Sequence, residues 1–518
     1  MKYQASERLL DKISSADTVL IHTTVQRWDI HIAEAVELVR RCESIGARWA
    51  LLTCNGGLSS CPSNPNRLEK FCTDCRHISG HLEKKLPAQM PFIYFAPSTY
   101  SENPNIPDEF MSRTELLNFR FRDVPIGRLV ASQMADDVKD YYFELENQEM
   151  RRRATQLVSD AVQLYLFARH EMRRLGPTKV FVWNGRRPSD GPVYYAAKSL
   201  GLDAYSYISG GQPGRLLCTE APSVQEIFDE EDSESLHALE ATHREALLPL
   251  AEEYFRQYRD GTFRDLGYRS IVGRFQLDAE LDGDGQLRLQ NWKDSDYRLL
   301  VVTSSPIEFL HTANHHATLG DDPYQWIAQL QGHTKLKDAS ICVRWHPNQS
   351  TAGPHESRRI NEIMNAAPDH VVHIPPGSSV DTYALANSAN IIIASGSTVA
   401  LWATWTGKRV ISIGYVPKFQ LNFWEMAETS DKIVELLIHE NQQNHEFLKT
   451  SAALWMVYLA ERGARMEHVT WINDKPALDV FGNPRRRAKK RSRLLRHLSR
   501  VRRSFIHRMT NHLRLVGT

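Results

Sequence analysis

The stretch from Ile391 to Gly414, IIIASGSTVALWATWTGKRVISIG, runs three isoleucines together and then stops on Ser-Gly-Ser-Thr. An unbroken apolar run suits a strand covered on both faces, as in a parallel sheet, because a half-exposed strand alternates apolar and polar residues. Ser395, Gly396, Ser397 and Thr398 then form a small polar turn. Val399 to Thr406 fit two turns of helix that end at Gly407, and Val410 to Ile413 begin another strand. Such a strand, turn and helix unit offers backbone N–H groups and hydroxyls at the positive end of a helix, where an anion is stabilised.

The same grammar recurs along the chain. Thr18 to Thr24 and Arg48 to Cys54 read as strands around an amphipathic helix from His31 to Gly46, a βαβ opening that predicts a parallel sheet with right-handed crossovers. A long helical region is predicted from about Val138 to Leu175, followed by a second strand, loop, helix and strand series beginning at Lys179. An acidic, helical stretch from Ala221 to Asn291 contains Asp282-Gly283-Asp284-Gly285, read as a linker turn. The expectation is an α/β protein of two doubly wound, Rossmann-like domains facing a cleft. Residues 1–290 form the acceptor-side domain with a helical insertion, residues 291–480 the nucleotide-donor domain, and residues 481–518 a basic tail.

Bulk properties narrow the class. With 518 residues, 42% hydrophobic and 24% charged, the chain has the composition of a globular protein with more than one full-sized core. No apolar stretch is long enough for a membrane span, and the first residues lack a signal-peptide core, so a cytoplasmic location with seven cysteines mostly as thiols is expected. The net charge of +1 conceals a division: from Arg485 to Thr518 there are thirteen Lys or Arg and no Asp or Glu, leaving 50 basic against 62 acidic residues elsewhere. Leu494, Leu498, Val501, Phe505, Met509 and Leu513 are spaced for one apolar helical face in this tail. That pattern predicts peripheral attachment to an anionic membrane, with a solubilising tail or a nucleic-acid contact as the rival readings; nucleic acid is not the expected partner.

Four predicted strand ends in the second domain carry polar groups. They are Thr303, Ser304 and Ser305 with Glu308; Arg344, His346, Pro347 and Asn348; Pro375 to Ser379 with Asp381 and Tyr383; and Ser395 to Thr398. In a parallel sheet these loops gather on one edge, and a guanidinium, an imidazole and hydroxyl-bearing turns suit a nucleotide phosphate.

The ordered set VVTSSPIEF, YQWIAQLQG, CVRWHPNQ and PPGSSVDTYALANSANIIIASGSTVALWATWTGKRVI resembles the carboxyl-terminal half of capsular and surface-polysaccharide biosynthesis glycosyltransferases of GT-B architecture, with a weaker match in WNGRRPSDGPVYYAAKSLG. The resemblance implies that Arg344, His346, Ser395, Ser397 and Thr398 line the phosphate end of a nucleotide-sugar donor; Ser304, Ser305, Glu308, Asn348 and Gly396, in the same strand-end loops, are expected to bind the donor with them. It also implies an acid in the helix after Gly-Ser-Thr for ribose hydroxyls, but the matching position here is Trp402, whose indole cannot accept hydrogen bonds.

For chemistry, the leaving nucleotide needs stabilisation and the acceptor hydroxyl needs a base. His346 and Arg344 are the candidates for the first role, and His22 or Asp190 for the second, with Asn184 and Arg186 shaping the acceptor side. No Asp-x-Asp loop suits Mg²⁺, so a metal-independent transfer with inversion by direct displacement is expected. Cys54, Cys61, Cys72 and Cys75 are a candidate structural zinc set. The function expected is transfer of a sugar from a nucleotide sugar to a bacterial surface polysaccharide or its lipid-linked precursor, at the inner face of the plasma membrane. The alternatives are a CDP-polyol phosphotransferase of similar fold and a non-catalytic assembly protein.

Overall fold

A computed structural model of the chain describes residues 5–24, 29–58, 61–86, 92–96, 105–223, 246–260, 283–312, 320–414, 423–439, 444–472 and 475–476, with residues 226, 236, 239–240 and 243 between them. The basic tail, and with it the predicted membrane-binding face, lies outside the described residues. No helix among the described residues is long and apolar enough to cross a membrane.

Two separate sheets organise the molecule. The first comprises β1 (Thr18–Thr23), β2 (Arg48–Thr53), β3 (Phe92–Tyr94), β4 (Lys179–Trp183), β5 (Asp203–Ser209), β6 (Arg215–Thr219) and a late strand, β13 (Ala464–Arg465). Its order is β13-β6-β5-β4-β1-β2-β3. Strands β5 to β3 run parallel, while β6 and β13 are antiparallel additions at one edge. The second sheet comprises β7 (Arg298–Val302), β8 (Ser340–Arg344), β9 (Val371–Ile374), β10 (Ile391–Ala394), β11 (Arg409–Ile413) and β12 (Glu425–Ala427). It is parallel throughout, in the order β12-β11-β10-β7-β8-β9. Two doubly wound α/β domains are thus present, the GT-B type of architecture that the resemblance implies.

The isoleucine run shows why these strands read as they do. Ile391 and Ile393 pack with Leu299, Val301 and Ile411 on one face of the sheet, whereas Ile392 and Ala394 pack with Leu300, Val302 and Val410 on the other. Each apolar side chain fully removed from water contributes about 1.5–3 kcal/mol, so a polar residue at either parity would be costly. β1 behaves alike, with Leu20 serving one core and Val19 and Ile21 another.

Local signals move some predicted boundaries. A separate helix, Ile126–Val138, ends where the helical region expected from about Val138 to Leu175 was to begin, and of that region Gln148–Leu175 is helix. Lys139 ends the first in the left-handed region (φ 59), and Asn147 caps the second by accepting the Met150 N–H. Helix Gly283–Asp294 begins inside the Asp-Gly run that was expected to be a turn, and its Leu289 and Trp292 join the core of the second sheet. After helix His445–Glu461 the chain returns to the first domain, where the carboxylate of Glu37 accepts the backbone N–H groups of Glu467 and His468 at 3.0 and 2.8 Å.

Candidate functional site

In a doubly wound sheet the ligand crevice opens where successive crossovers leave a strand in opposite directions. In the second sheet this happens between β7 and β10, because β7 leads outward to β8 and β9 while β10 returns to its other side. In the first sheet the equivalent point lies between β1 and β4.

The second-domain crevice contains the predicted loops. Ser304, which follows β7, and Ser395, which follows β10, line one shallow recess with Tyr324 and Trp326. Gly396 is exposed at φ 64 and Thr398 is exposed at the start of helix Thr398–Trp405, so the turn faces solvent. A Cβ on Gly396 would touch nothing within 4 Å; the constraint there is the left-handed backbone, which disfavours other residues. Ser397 caps the helix, its hydroxyl accepting the Val399 N–H at 3.3 Å. Ser305 precedes the short turn Pro306–Phe309, which carries Glu308 half-buried.

His346 and Arg344 take specific states. The His346 Nδ1 accepts the Asn348 N–H at 3.2 Å, and burial followed by the neighbouring Arg344 pushes the imidazole down to about 4. At neutral pH the ring is therefore uncharged with its proton on Nε2, a hydrogen-bond donor rather than an acid or base. Asn348 is half-buried in the same capped turn, Pro347–Thr351. Arg344 is 4% exposed and directs its guanidinium at the next loop: Nε donates to Thr382 Oγ1 at 3.2 Å, Nη1 to Pro375 O at 2.7 Å and Nη2 to Ser378 O at 3.1 Å. Among the described residues no carboxylate neutralises it, and burial pushes its pKa down to about 10.

Beside this turn lies a shallow recess walled by Phe255, Tyr258, Tyr383, Thr398 and Trp402. The Trp402 indole donates to Asn387 Oδ1 at 2.9 Å, and Phe255 and Tyr383 meet its ring edge-on at 6.0 and 5.5 Å. The position that the resemblance assigns to an acid is therefore part of an aromatic wall.

The first-domain crevice is polar and enclosed. Asn184, at φ 60, and Gly185, at φ 80, turn the chain sharply after β4. A Cβ on Gly185 would lie 1.9 Å from Pro222 O, so only glycine fits. Asp190 is completely buried, accepting from Thr24 Oγ1 at 2.8 Å and Ser189 Oγ at 3.0 Å; burial pushes its carboxyl up to about 7. His22 is 1% exposed, and burial pushes it down to about 3. Arg186 bridges the domains: Nη2 pairs with Asp136 at 2.7 Å and Nη1 donates to Glu308 O at 3.3 Å. Arg187 pairs with the same Asp136 at 2.9 Å. Among the described residues His22 Nδ1, Asn184 Oδ1, Arg186 Nε, and Arg187 Nε and Nη1 are buried without a hydrogen-bond partner. Orphaned buried polar atoms are rare in folded proteins, so their concentration at a switch point marks a place for water or ligand.

No family model matches the sequence, and no curated protein does. Solved structures do. The UDP-GlcNAc 2-epimerase of Methanocaldococcus jannaschii in complex with UDP-GlcNAc and UDP is 10% identical, with 85% of this chain and 98% of that chain covered at a TM-score of 0.28. The UDP-GlcNAc 2-epimerase of Neisseria meningitidis bound to UDP-GlcNAc is 11% identical, with 85% and 99% covered at 0.25. The beta Kdo 2,4 transferase KpsC of Thermosulfurimonas dismutans is 14% identical, with 54% and 79% covered at 0.29.

Sequence reading did not single out Asp136 and Arg187, which complete the ion cluster at the domain junction. The Arg186-Arg187 doublet was visible, but nothing in the helical pattern around Asp136 distinguishes the face that meets it. Cys54, Cys61, Cys72 and Cys75 are all free thiols. Burial raises Cys54 to about 11 and raises Cys61, whose sulfur contacts Ser63 Oγ, while Cys72 accepts from Asn64 Nδ2 at 3.4 Å. Among the described residues no three His, Cys, Asp or Glu side chains stand together as a metal-ligand set, these four cysteines included.

Proposed function

We propose that the protein is a glycosyltransferase that moves a sugar from a nucleotide-sugar donor to a surface polysaccharide or its lipid-linked precursor. The observation that carries this reading is the meeting of Ser304, Ser395 and the open Gly396–Thr398 turn at the switch point of the second sheet, with Arg186 reaching across from the first. The donor phosphates occupy that turn. The helix amino end, the His346 Nε2–H and the unneutralised Arg344 stabilise the charge that develops on the leaving nucleotide. The adjoining aromatic recess of Phe255, Tyr258, Tyr383 and Trp402 is the proposed resting place of the nucleobase, against its outer surface.

On the acceptor side, Asp190 is the proposed base, because a carboxyl near 7 holds a proton about as tightly as neutral solution requires. His22, pushed down to about 3, is too weak a base for that task. Asn184, Arg186 and Arg187 orient the acceptor through the donors and acceptors that lack protein partners. The transfer is proposed to need no metal and to invert the anomeric centre. The basic tail is proposed to hold the enzyme at an anionic membrane where lipid-linked acceptors lie.

A second reading is favoured by Trp402. Its indole offers no acceptor for ribose hydroxyls and its N–H is already given to Asn387, as in an assembly protein that has lost turnover; a CDP-polyol phosphotransferase is the enzyme alternative because the same phosphate-binding loops would serve it. The deciding experiment is thermal shift with a panel of nucleotides and nucleotide sugars, followed by product analysis. Stabilisation by a nucleotide sugar with glycan product supports the transferase. Stabilisation by CDP-glycerol alone supports the phosphotransferase, and indifference to every nucleotide supports the assembly role.

A further inference from the structure

The ligand loop of the second domain is tied to the first domain through the protein interior. After Lys139 turns the chain left-handed, Asp140 meets the amino end of helix Pro354–Asn365. Its Oδ2 accepts the His355 N–H at 2.8 Å and its Oδ1 the Glu356 N–H at 3.0 Å, the place on a helix where unpaired N–H groups and the dipole favour a carboxylate. Gly353 donates its N–H to Lys139 O at 2.7 Å, and a Cβ there would lie 2.5 Å from Asp140. In return, Glu356 Oε2 accepts the Tyr141 N–H at 3.0 Å.

From Glu356 the chain of bonds continues inward. Its Oε1 accepts from the Tyr324 hydroxyl, whose oxygen accepts from Gln349 Nε2. Gln349 Oε1 accepts the His346 N–H at 2.8 Å and the Thr303 hydroxyl at 3.3 Å. The same His346 N–H also reaches Thr303 Oγ1 at 2.8 Å. Asp140, Glu356, Tyr324, Gln349 and Thr303 are each at most 5% exposed, so water does not replace any member. The Tyr324 hydroxyl links Glu356 to Gln349, used once as donor and once as acceptor, and the Gln349 amide also lies within reach of the Glu356 carboxylate itself.

We infer that Glu356, Tyr324 and Gln349 are positioning residues that make the placement of His346 and Thr303 depend on the docking of the first domain at Asp140. The role of His346 in this inference rests on the function proposed above; the mechanical coupling does not. Loss of the docking frees the ligand loop while the parallel strands beneath it stay formed, so the cleft holds its donor in register only when both domains are seated.

The test is amide hydrogen exchange of the full chain, without ligand, in Tyr324→Phe and Asp140→Asn. Tyr324→Phe keeps the ring and removes the hydroxyl link between Glu356 and Gln349; exchange across residues 345–351 should rise about tenfold, the change that one lost buried hydrogen bond produces, with β7, β8 and β10 unchanged. Asp140→Asn acts from the other domain, since an amide cannot accept both helix N–H groups, and should accelerate the same loop. Under the proposed activity kcat should fall by about tenfold or more while KM for the donor changes little. Folded variants whose loop exchange stays at the wild-type rate overturn the inference. If Tyr324→Phe fails to fold, the Asp140→Asn loop decides by the same criterion. A wild-type protein that binds no nucleotide overturns the proposed function, and the exchange comparison still decides the coupling.

Discussion

Replacing Asp190 by Asn tests the most heavily perturbed carboxyl of the candidate site with almost no change in shape. The carboxyl is completely buried and lifted from its usual 3.8 to about 7, chiefly by burial, against the pull of Thr24, Arg187 and Ser189. Because the folded protein holds this proton more tightly than the unfolded chain, the two states differ in proton binding only between about pH 4, below which both hold it, and about pH 7, above which both release it. Between about pH 4 and 7 the unfolded chain has released it while the folded protein retains it, so stability falls as pH rises through that window; above 7 the full penalty of a buried charge remains. A pKa rise from 3.8 to about 7 corresponds to about 4 kcal/mol, at about 1.4 kcal/mol for each tenfold change in proton affinity. Asn keeps an oxygen to accept from Thr24 and can donate its amide to Ser189 Oγ, so the penalty is removed without orphaning either hydroxyl. Urea denaturation at pH 5 and pH 8 should show Asp190→Asn gaining about 1–4 kcal/mol more, relative to wild type, at the higher pH. If Asp190 is the base, turnover disappears in the same variant, and wild-type turnover rises with pH through about 7. A stability difference between variant and wild type that stays constant from pH 5 to 8 would refute the reasoning, because it would show that the carboxylate is not charged at a cost in the folded state.

His346→Ala should cost about 1 kcal/mol for the lost cap of Pro347–Thr351 and lower turnover about a hundredfold, measured by denaturation and product formation. Since the wild-type imidazole is pushed down to about 4, the unfolded chain takes up its proton first as pH falls below about 6.5; stability then falls toward pH 4, and the Ala variant should lose less over that range. Arg344→Met should lower stability by about 1–3 kcal/mol, because Pro375 O, Ser378 O and Thr382 Oγ1 lose their donor, and should weaken binding of inorganic pyrophosphate; Arg344→Lys should retain more of that binding, as isothermal titration would show. Trp402→Ala should cost about 2–4 kcal/mol through the loss of its contacts with Phe255 and Tyr383, and should weaken nucleoside binding in thermal shift if the aromatic recess holds a base.

The second sheet was legible because its physics is local. A strand buried on both faces must be apolar at every buried position, and Ile391 to Ala394 and Leu299 to Val302 both announce themselves in this way. The turns at Ser395 to Thr398 and at His346 were legible for a related reason, as small and polar groups directly after such strands. What the sequence could not display is the direction of long side chains. Arg344 is spaced as a ligand-facing residue, yet its guanidinium organises the loop from Pro375 to Thr382. His22 and Asp190 lie at strand and loop ends as expected, but whether such a residue meets solvent depends on what covers it, here the helices and loops brought in from distant parts of the chain. Lys139 illustrates the same limit for helices: a lysine in the left-handed region carries no sequence signature comparable to glycine, so a helix ending there reads as continuous.

The position of Arg344 gives the second crevice its electrostatic character even though its hydrogen bonds go elsewhere. Carbonyl and hydroxyl acceptors satisfy N–H geometry without cancelling a unit of charge, and the neighbouring His346 stays neutral, so the positive charge remains at the strand ends in a region of reduced dielectric. Charge held in this way acts at a distance, whereas the Gly396–Thr398 turn acts by contact. Attraction and orientation are thereby divided between two loops: removal of the charge should weaken all anions alike, while damage to the turn should select among them according to how many oxygens they present to the helix end. The salt dependence of pyrophosphate binding separates the two, since only the long-range part is screened. An Arg344→Met protein with wild-type affinity at low salt would show that the charge contributes nothing, leaving the turn alone to hold the ligand.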